Sequence, residues 1–352
     1  MRSSPDELPI ELVRHRAVAT VRRALARSCQ VSSGTTIVAA VSGGPDSVAL
    51  LLLLTAIARR HRRRGYVVRV RAVHVHHHLR AEADGEATAV ADLCSAVSVP
   101  FERIDVYPDR LDGSVAANAR RLRYKALGEA AAVAGASAVA TAHHAEDQLE
   151  TLIMAVCRGA GPNGLRGMPW RRPLRPGVAL IRPMMGLRKA DAEAVCTAAG
   201  VDWCSDPGNT DRRTVRGRLR AEVIPTLESM WPGAARRSVG TASAVASAVE
   251  FLNRTLDRVA VDDRGWDRME LRSLGTGVVA MLLQRAAVRL APAVADRLDQ
   301  RQLADAASVV VSDRAQAIIR WPDGLRLVVD RERATLERVD PTDAASRTSG
   351  PR

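Results

Sequence analysis

Apolar and polar residues fall into alternating blocks over the first half of the chain. Short apolar, partly β-branched runs occur at Ile37 to Val41, Val67 to Val75, Phe101 to Val106 and Ala138 to Thr141; such runs fill the middle of a parallel sheet. Longer stretches with helical spacing lie between them, at Asp46 to Arg60, Glu82 to Val97, Ser114 to Ala134 and Ala145 to Cys157. Parallel neighbours need crossover connections, so this α/β alternation predicts a doubly wound parallel sheet with helices on both faces. An amphipathic helix over Ile10 to Arg27 precedes it. Sheets of this kind bind ligands at the carboxyl ends of their strands.

The texture changes beyond Arg182. The stretch "DPGNTDRRTVRGRLRAEVIP", Asp206 to Pro225, predicts a helix with an apolar stripe at Val215, Leu219 and Val223. Arg212, Arg216 and Arg220 repeat every four residues on another face, with Arg213 and Arg218 nearby. A row of guanidinium groups suits phosphates, those of RNA included; an ordinary solvated face carries the same pattern. Pro225 is expected to end or kink this helix. A smaller helix-rich segment follows to about Leu303, then a β-hairpin turning at Pro322-Asp323-Gly324, then a tail over 341–352 with the composition of a disordered segment.

The strand ends hold the chemistry. The first strand ends in Ser42-Gly43-Gly44-Pro45-Asp46-Ser47. Gly43 and Gly44 open backbone angles closed to other residues and leave space for a ligand, while Pro45 and Asp46 suit the first turn of a helix. Backbone N–H groups at such a bend form an anion site, most often for phosphate; a tight turn with no ligand is the alternative. The second strand ends in "HVHHHLR", His74 to Arg80, and the fourth in "TAHHAEDQLE", Thr141 to Glu150, so six of the eight histidines gather at strand ends. His74, His76 and His78 alternate and could line one strand face as metal ligands, with His143, His144 and Asp147 adding more. The lack of an H-E-x-x-H spacing favours hydrogen-bonding or nucleotide-lining roles. "GAGPNG", Gly159 to Gly164, follows a helix instead of a strand, so it lacks the setting of a dinucleotide fingerprint. No Walker-type phosphate loop is present, and Ser42 lacks the G-x-S-x-G elbow of a serine hydrolase.

Composition adds three constraints. With 352 residues the chain is long enough for two domains. Its longest apolar run, Val48 to Ala58, is far short of the roughly 20 residues that span a bilayer, and the opening "MRSSPDELPIELVRHR" has no apolar signal core. A soluble protein without a membrane partner is expected. Five cysteines with no C-x-x-C pair predict a reduced, cytoplasmic setting and no cysteine-held metal. A net charge of +13 points to a polyanionic partner such as nucleic acid. Lysine occurs only at Lys125 and Lys189, an arginine bias that genomic base composition also produces. An aromatic content of 3% disfavours a surface built for base stacking.

Together these segments resemble a known family. "SGGPDS" is similar to the S-G-G-x-D-S phosphate loop of ATP-dependent adenylating enzymes of the PP-loop superfamily. "HVHHHLR", "ARRLRY" (Ala119 to Tyr124), "HHAEDQLET", "RGAGPNGLRGM", "IRPM", "DPGNTDRR" and "RLRAEVIP" then follow in the order expected of the tRNA(Ile)-lysidine synthetase family. The resemblance implies an N-terminal helix (1–30), an adenine nucleotide alpha hydrolase-like catalytic domain (31–225), and a helical tRNA-binding accessory domain (226–340). It implies a ligase that attaches L-lysine to C2 of the wobble cytidine of CAU-anticodon tRNA(Ile), through an adenylated cytidine, releasing pyrophosphate and AMP. Codon reading would thereby change from AUG to AUA.

The same resemblance assigns Ser42, Gly43, Gly44, Pro45, Asp46 and Ser47 to the phosphates of ATP, with Asp46 also placed to engage Mg²⁺. Arg120 and Arg123 would neutralise phosphate or carboxylate groups, and Asp147 and Glu150 would serve lysine or the adenylate. His143, His144, Arg212, Arg213, Arg216, Arg218 and Arg220 fall to substrate or tRNA, and a homodimer is implied. Departures from the family pattern are His78 in place of glycine, Ala116 and Asn118 in place of glutamate and alanine, and Gly217 in place of asparagine. Two rival readings remain. A tRNA 2-thiolation enzyme of the same superfamily would need cysteines for sulfur or a cluster; a basic RNA-binding module would release no pyrophosphate.

Overall fold

The computed structural model describes residues 8–61, 66–80, 83–204, 212–261 and 265–339. The start of the expected arginine helix (205–211) and the tail lie outside them. The chain divides into two compact units, one running to Ile153 and resuming over Gly167–Ser243, the other comprising Met154–Arg166 and the segment from Ala244 onward. That division lies beyond residue 225, inside a long helix.

The first unit is built on six strands: β1 (Thr35–Ala40), β2 (Val68–His76), β3 (Phe101–Asp105), β4 (Ala138–Ala140), β5 (Arg171–Arg175) and β6 (Val178–Ile181). Their order is β3-β2-β1-β4-β6-β5, parallel throughout except for the β5–β6 pair. The first four coincide with the apolar runs. β5 was not visible among them because "RRPLR" is an edge strand with alternate residues exposed, where arginines and Pro173 discourage further pairing.

Around the sheet lie α1 (Ile10–Arg14), α2 (Arg16–Arg27), α3 (Pro45–His61), α4 (Ala83–Ala96), α5 (Val115–Val133), α6 (Ala145–Cys157) and α8 (Lys189–Ala199), while α7 (Pro162–Leu165) belongs to the other unit. α3 is apolar all round, Leu50 to Leu54 being buried, because it packs on the sheet and against α2 and α8 at once. The helix expected over Ile10 to Arg27 is broken at His15, whose backbone is extended and whose Nδ1 accepts the Ala17 N–H at 3.3 Å. Burial lowers the pKa of that ring, followed by the charge of Arg16, which keeps it a neutral acceptor. From β1 the chain winds outward to β2 and β3, then resumes at β4 on the other flank of β1. The carboxyl ends of β1 and β4 therefore form the topological switch point, where such sheets hold ligands.

Further along, Thr214 caps α9 (Val215–Arg218) by accepting the Gly217 N–H at 2.9 Å. A π turn over Leu219–Val223 leads into α10 (Ile224–Met230) and α11 (Ala234–Leu256). Pro225 neither ends nor sharply breaks this run: it sits in the first turn of α10, and the wider turn before it absorbs the missing N–H. The expected apolar stripe is not a buried face either, since Leu219 is buried but Val215 is 66% exposed.

The second unit holds β7 (Trp266–Asp267), α12 (Arg268–Leu274), α13 (Thr276–Leu290), α14 (Gln300–Val311), β8 (Ala317–Arg320), β9 (Leu325–Val329) and β10 (Arg333–Arg338). β8 and β9 form the expected hairpin, with Asp323 and Gly324 at positive φ in its turn; β10 and β7 extend it into a four-stranded antiparallel sheet. Leu283, Leu303, Val310, Leu327 and Val329 are central to its core. Among the described residues no helix is long and apolar enough to cross a membrane.

Candidate active site

At the switch point a crevice of about 860 Å³ opens between the ends of β1, β2 and β4. Its floor is the turn after β1. Gly43 adopts φ +91°, a conformation that a side chain would strain, and its carbonyl accepts the Cys204 N–H at 3.1 Å. Ser47 is a structural brace: its Oγ accepts the Ser42 N–H at 3.0 Å and donates to the Gly44 carbonyl at 2.9 Å. The Ser42 amide is thus engaged inside the turn. Among the described residues, no protein acceptor takes the amides of Gly43, Gly44 and Asp46. Three N–H groups at the start of a 17-residue helix remain for an anion.

Asp46 lines the crevice beside them. Its Oδ2 lies 3.6 Å from His144 Nε2, and its Oδ1 is buried with no hydrogen-bond partner among the described residues. A buried carboxylate oxygen left without a donor fits a hard cation such as Mg²⁺.

The end of β4 supplies the opposite wall. His144 is buried with three carboxylates around it: Glu146 Oε2 lies 3.0 Å from Nδ1, in a contact not aligned as a hydrogen bond, and Asp46 and Asp147 each lie 3.6 Å from Nε2. Burial by itself would lower its pKa, but Asp147, Asp46 and Glu146 outweigh this and raise it well above 6.5, so His144 is a cation at neutral pH. His143 next to it behaves oppositely. Burial first, then Arg182, Arg123 and Arg120, depress its pKa to about 4 against the pull of Asp147, and its Nδ1 lies 2.9 Å from Thr141 Oγ1.

Asp147 and Glu150 stand one turn apart on α6 and share Arg220. Asp147 Oδ2 caps the helix by accepting the His144 N–H at 2.9 Å, and its Oδ1 accepts Arg220 Nη2 at 2.7 Å. Glu150, 2% exposed, accepts Arg220 Nε. Burial would raise the Asp147 carboxyl, but His144, His143 and Arg220 hold it below the usual range. Burial pushes Glu150 upward, opposed by Arg220.

Arg220 therefore does not belong to the expected outward row. The π turn begins at Leu219, adding a residue to the turn, so position 220 rotates away from Arg216 and into the crevice. Arg212, Arg213, Arg216 and Arg218 are exposed, and Arg218 lies 3.9 Å from Glu222.

Arg123 lines the crevice, whereas Arg120 is on the exposed side of α5. Arg120, Arg123 and Arg172 place their guanidinium carbons 5.0, 5.2 and 5.0 Å from the centre of the Tyr124 ring. Arg182 lies 3% exposed nearby. Burial would raise the Tyr124 hydroxyl, but these arginines outweigh it and lower its pKa. Among the described residues none of the four forms an ion pair with a carboxylate, so the cluster is an anion-attracting wall. Arg172 was not singled out from the sequence, and Tyr124 entered only as the last residue of "ARRLRY"; β5 reads as a polar loop until its pairing with β6 is known.

The fold and this turn define a PP-loop protein: residues 17–227 match the family model described as a PP-loop domain. The tRNA(Ile)-lysidine synthase of Salinispora arenicola is 36% identical over 335 residues, covering 93% of this chain and 98% of that protein. That of Salinispora tropica is 34% identical over 331 residues, covering 92% and 97%. The chain belongs to the tRNA(Ile)-lysidine synthase family. Among solved structures, the U34-tRNA thiolase NcsA from Methanococcus maripaludis is similar with a TM-score of 0.53 at 15% identity, over 65% of this chain and 78% of that one, a likeness of fold.

Proposed function

We propose that this chain forms lysidine on tRNA(Ile), using ATP to adenylate the wobble cytidine and then exchanging AMP for the amine of L-lysine. The observation that carries this reading is the pairing, across one crevice, of a glycine turn with three free amides and an acid pair suited to an amino-acid ammonium. The C2 carbonyl oxygen of cytidine is a poor leaving group, so the protein's task is positioning and charge stabilisation. The amides of Gly43, Gly44 and Asp46 hold the phosphates, and the Arg123 side of the tyrosine cluster faces further negative charge. Mg²⁺ held by Asp46 would neutralise the triphosphate and the departing pyrophosphate.

An attacking amine must be neutral, and a neighbouring carboxylate raises the lysine pKa above its usual value of about 10.4. The two acids divide this problem. Asp147, held ionised, suits the anchoring of an ammonium; Glu150, pushed upward by burial, is the better acceptor for the proton released when nitrogen bonds to C2 and AMP departs. Arg220 neutralises the pair until an ammonium takes over one carboxylate. L-lysine, Mg²⁺, a cytoplasmic setting and a homodimer belong to the same reading. Burial pushes the Cys29, Cys94 and Cys196 thiols up to about 12 and also raises that of Cys204, which lines the crevice, so these four are poor sources of the thiolate that thiolation would need.

The test is incubation of the purified protein with ATP, Mg²⁺, labelled lysine and a CAU-anticodon tRNA transcript. Label is expected on the wobble base, with pyrophosphate released. Asp46→Ala should reduce pyrophosphate release at least about a hundredfold while tRNA affinity changes little. Full activity in that variant would overturn the assignment.

A further inference from the structure

Outside the phosphate turn, the register of β2 against β3 sets His76 beside Asp105. We propose that His76, His78 and Asp105 form a site for an imidazole-preferring divalent transition metal such as Zn²⁺. Ligand atoms of His76, His78 and Asp105 all lie within 4.8 Å of one another. His76 is 2% exposed, yet neither of its ring nitrogens has a hydrogen-bond partner among the described residues. A buried imidazole stripped of water on both nitrogens is costly unless something else engages it.

The spacing suggests what does. His76 Nδ1 lies 3.8 Å from Asp105 Oδ1, and its Nε2 lies 3.5 Å from Asp84 Oδ1. The Nδ1–Asp105 separation exceeds a hydrogen bond but approaches the roughly 3.3 Å edge of a tetrahedron with metal–ligand bonds of about 2.0–2.1 Å; Nε2, across the ring, faces Asp84, which orients the imidazole instead of sharing the ion. His78 Nε2 lies 2.8 Å from Asp105 Oδ1, so binding requires His78 to carry its proton on Nδ1 and offer Nε2 as a lone pair. Two imidazoles with a carboxylate favour zinc-like ions over Mg²⁺. His74 is not part of the group whose ligand atoms lie within 4.8 Å of one another; its Nδ1 engages the Val41 carbonyl at 2.9 Å.

Arg103 is the competitor. Its guanidinium contacts Asp84 at 2.9 Å and Asp105 at 2.9 and 3.0 Å, supplying the positive charge that a dication would take over. Metal binding therefore displaces Arg103 from Asp105, and Arg103→Met should tighten it.

Titration of the full-length protein with Co²⁺, read from its visible absorption, tests the site, with Zn²⁺ as the competing ion. We expect a single equivalent of Co²⁺ with a tetrahedral band, displaced by Zn²⁺ and not by Mg²⁺. His78→Gly suits the φ of +53° at that position and should preserve the fold; it and Asp105→Asn should each weaken binding by about tenfold or more. Absence of stoichiometric binding overturns the proposal, as does binding that both variants leave unchanged, since the ion would then sit on other histidines.

Discussion

Two adjacent histidines show how far a few ångströms decide charge. His144 sits among carboxylates and is raised well above 6.5, whereas burial and the arginines depress His143 to about 4. The signs of their contributions to stability are opposite. His143 has a folded-state value below that of the unfolded chain, so between about 4 and 6.5 the unfolded chain binds more protons. Its contribution is full above 6.5 and is lost as pH falls toward 4. His144, raised, contributes fully below 6.5 and loses that contribution as pH rises through its folded value. Comparing melting temperatures of the parent and His143→Gln across this range isolates the first effect. The parent should lose stability more steeply than the variant between pH 6.5 and 4; parallel curves would show that His143 charges freely in the fold.

At the scale of elements, what the sequence disclosed depended on whether a signal was local. Six consecutive residues at Ser42 to Ser47 contain everything the phosphate turn needs, namely glycines, a first-turn proline and an acid. The partnership of His76 with Asp105 is set by strand register, and neither residue carries a mark of it. The inward turn of Arg220 depends on one π turn that residue spacing did not announce. Arg268 is the extreme case. It opens α12 at 1% exposure, and its five N–H donors meet the carbonyls of Val309, Val310, Ser312, Arg314 and Asp330. Backbone acceptors have no sequence signature, so this arginine is indistinguishable from a surface one until the fold is known. It ties the C-terminal end of α14, where orphan carbonyls and the helix dipole favour a cation, to the turn between β9 and β10. Arg268→Met would take this donor from the Val310, Arg314 and Asp330 carbonyls, while Val309 and Ser312 keep Ser312 Oγ and Arg272, at a cost of about 3 kcal/mol or more. Hydrogen exchange should rise across α14 and β8 to β10; unchanged protection would mean that Arg268 is dispensable to that sheet.

For the whole molecule, a charge of +13 has to be divided between arginines that work inward and those left for a polyanion. Arg220 and Arg268 face carboxylates and carbonyls, and Arg182 is buried, so none of them is available to a long RNA backbone. Arg212, in the turn before α9, and Arg216, in its first turn, are exposed on the segment leading to the crevice. RNA binding through such groups releases counterions, and each lost phosphate contact lowers the slope of log affinity against log salt by about 0.7–0.9. Arg212→Ala combined with Arg216→Ala should therefore weaken tRNA binding and flatten that slope by about one to two. Arg220→Ala should leave the slope alone, because its guanidinium is engaged with Asp147 and Glu150, and should instead impair the lysine-dependent step. Measuring tRNA affinity from low to moderate salt for the three proteins separates the two groups of arginines. A slope that drops for Arg220→Ala and stays fixed for the outer pair would reverse the division and place the RNA backbone inside the crevice.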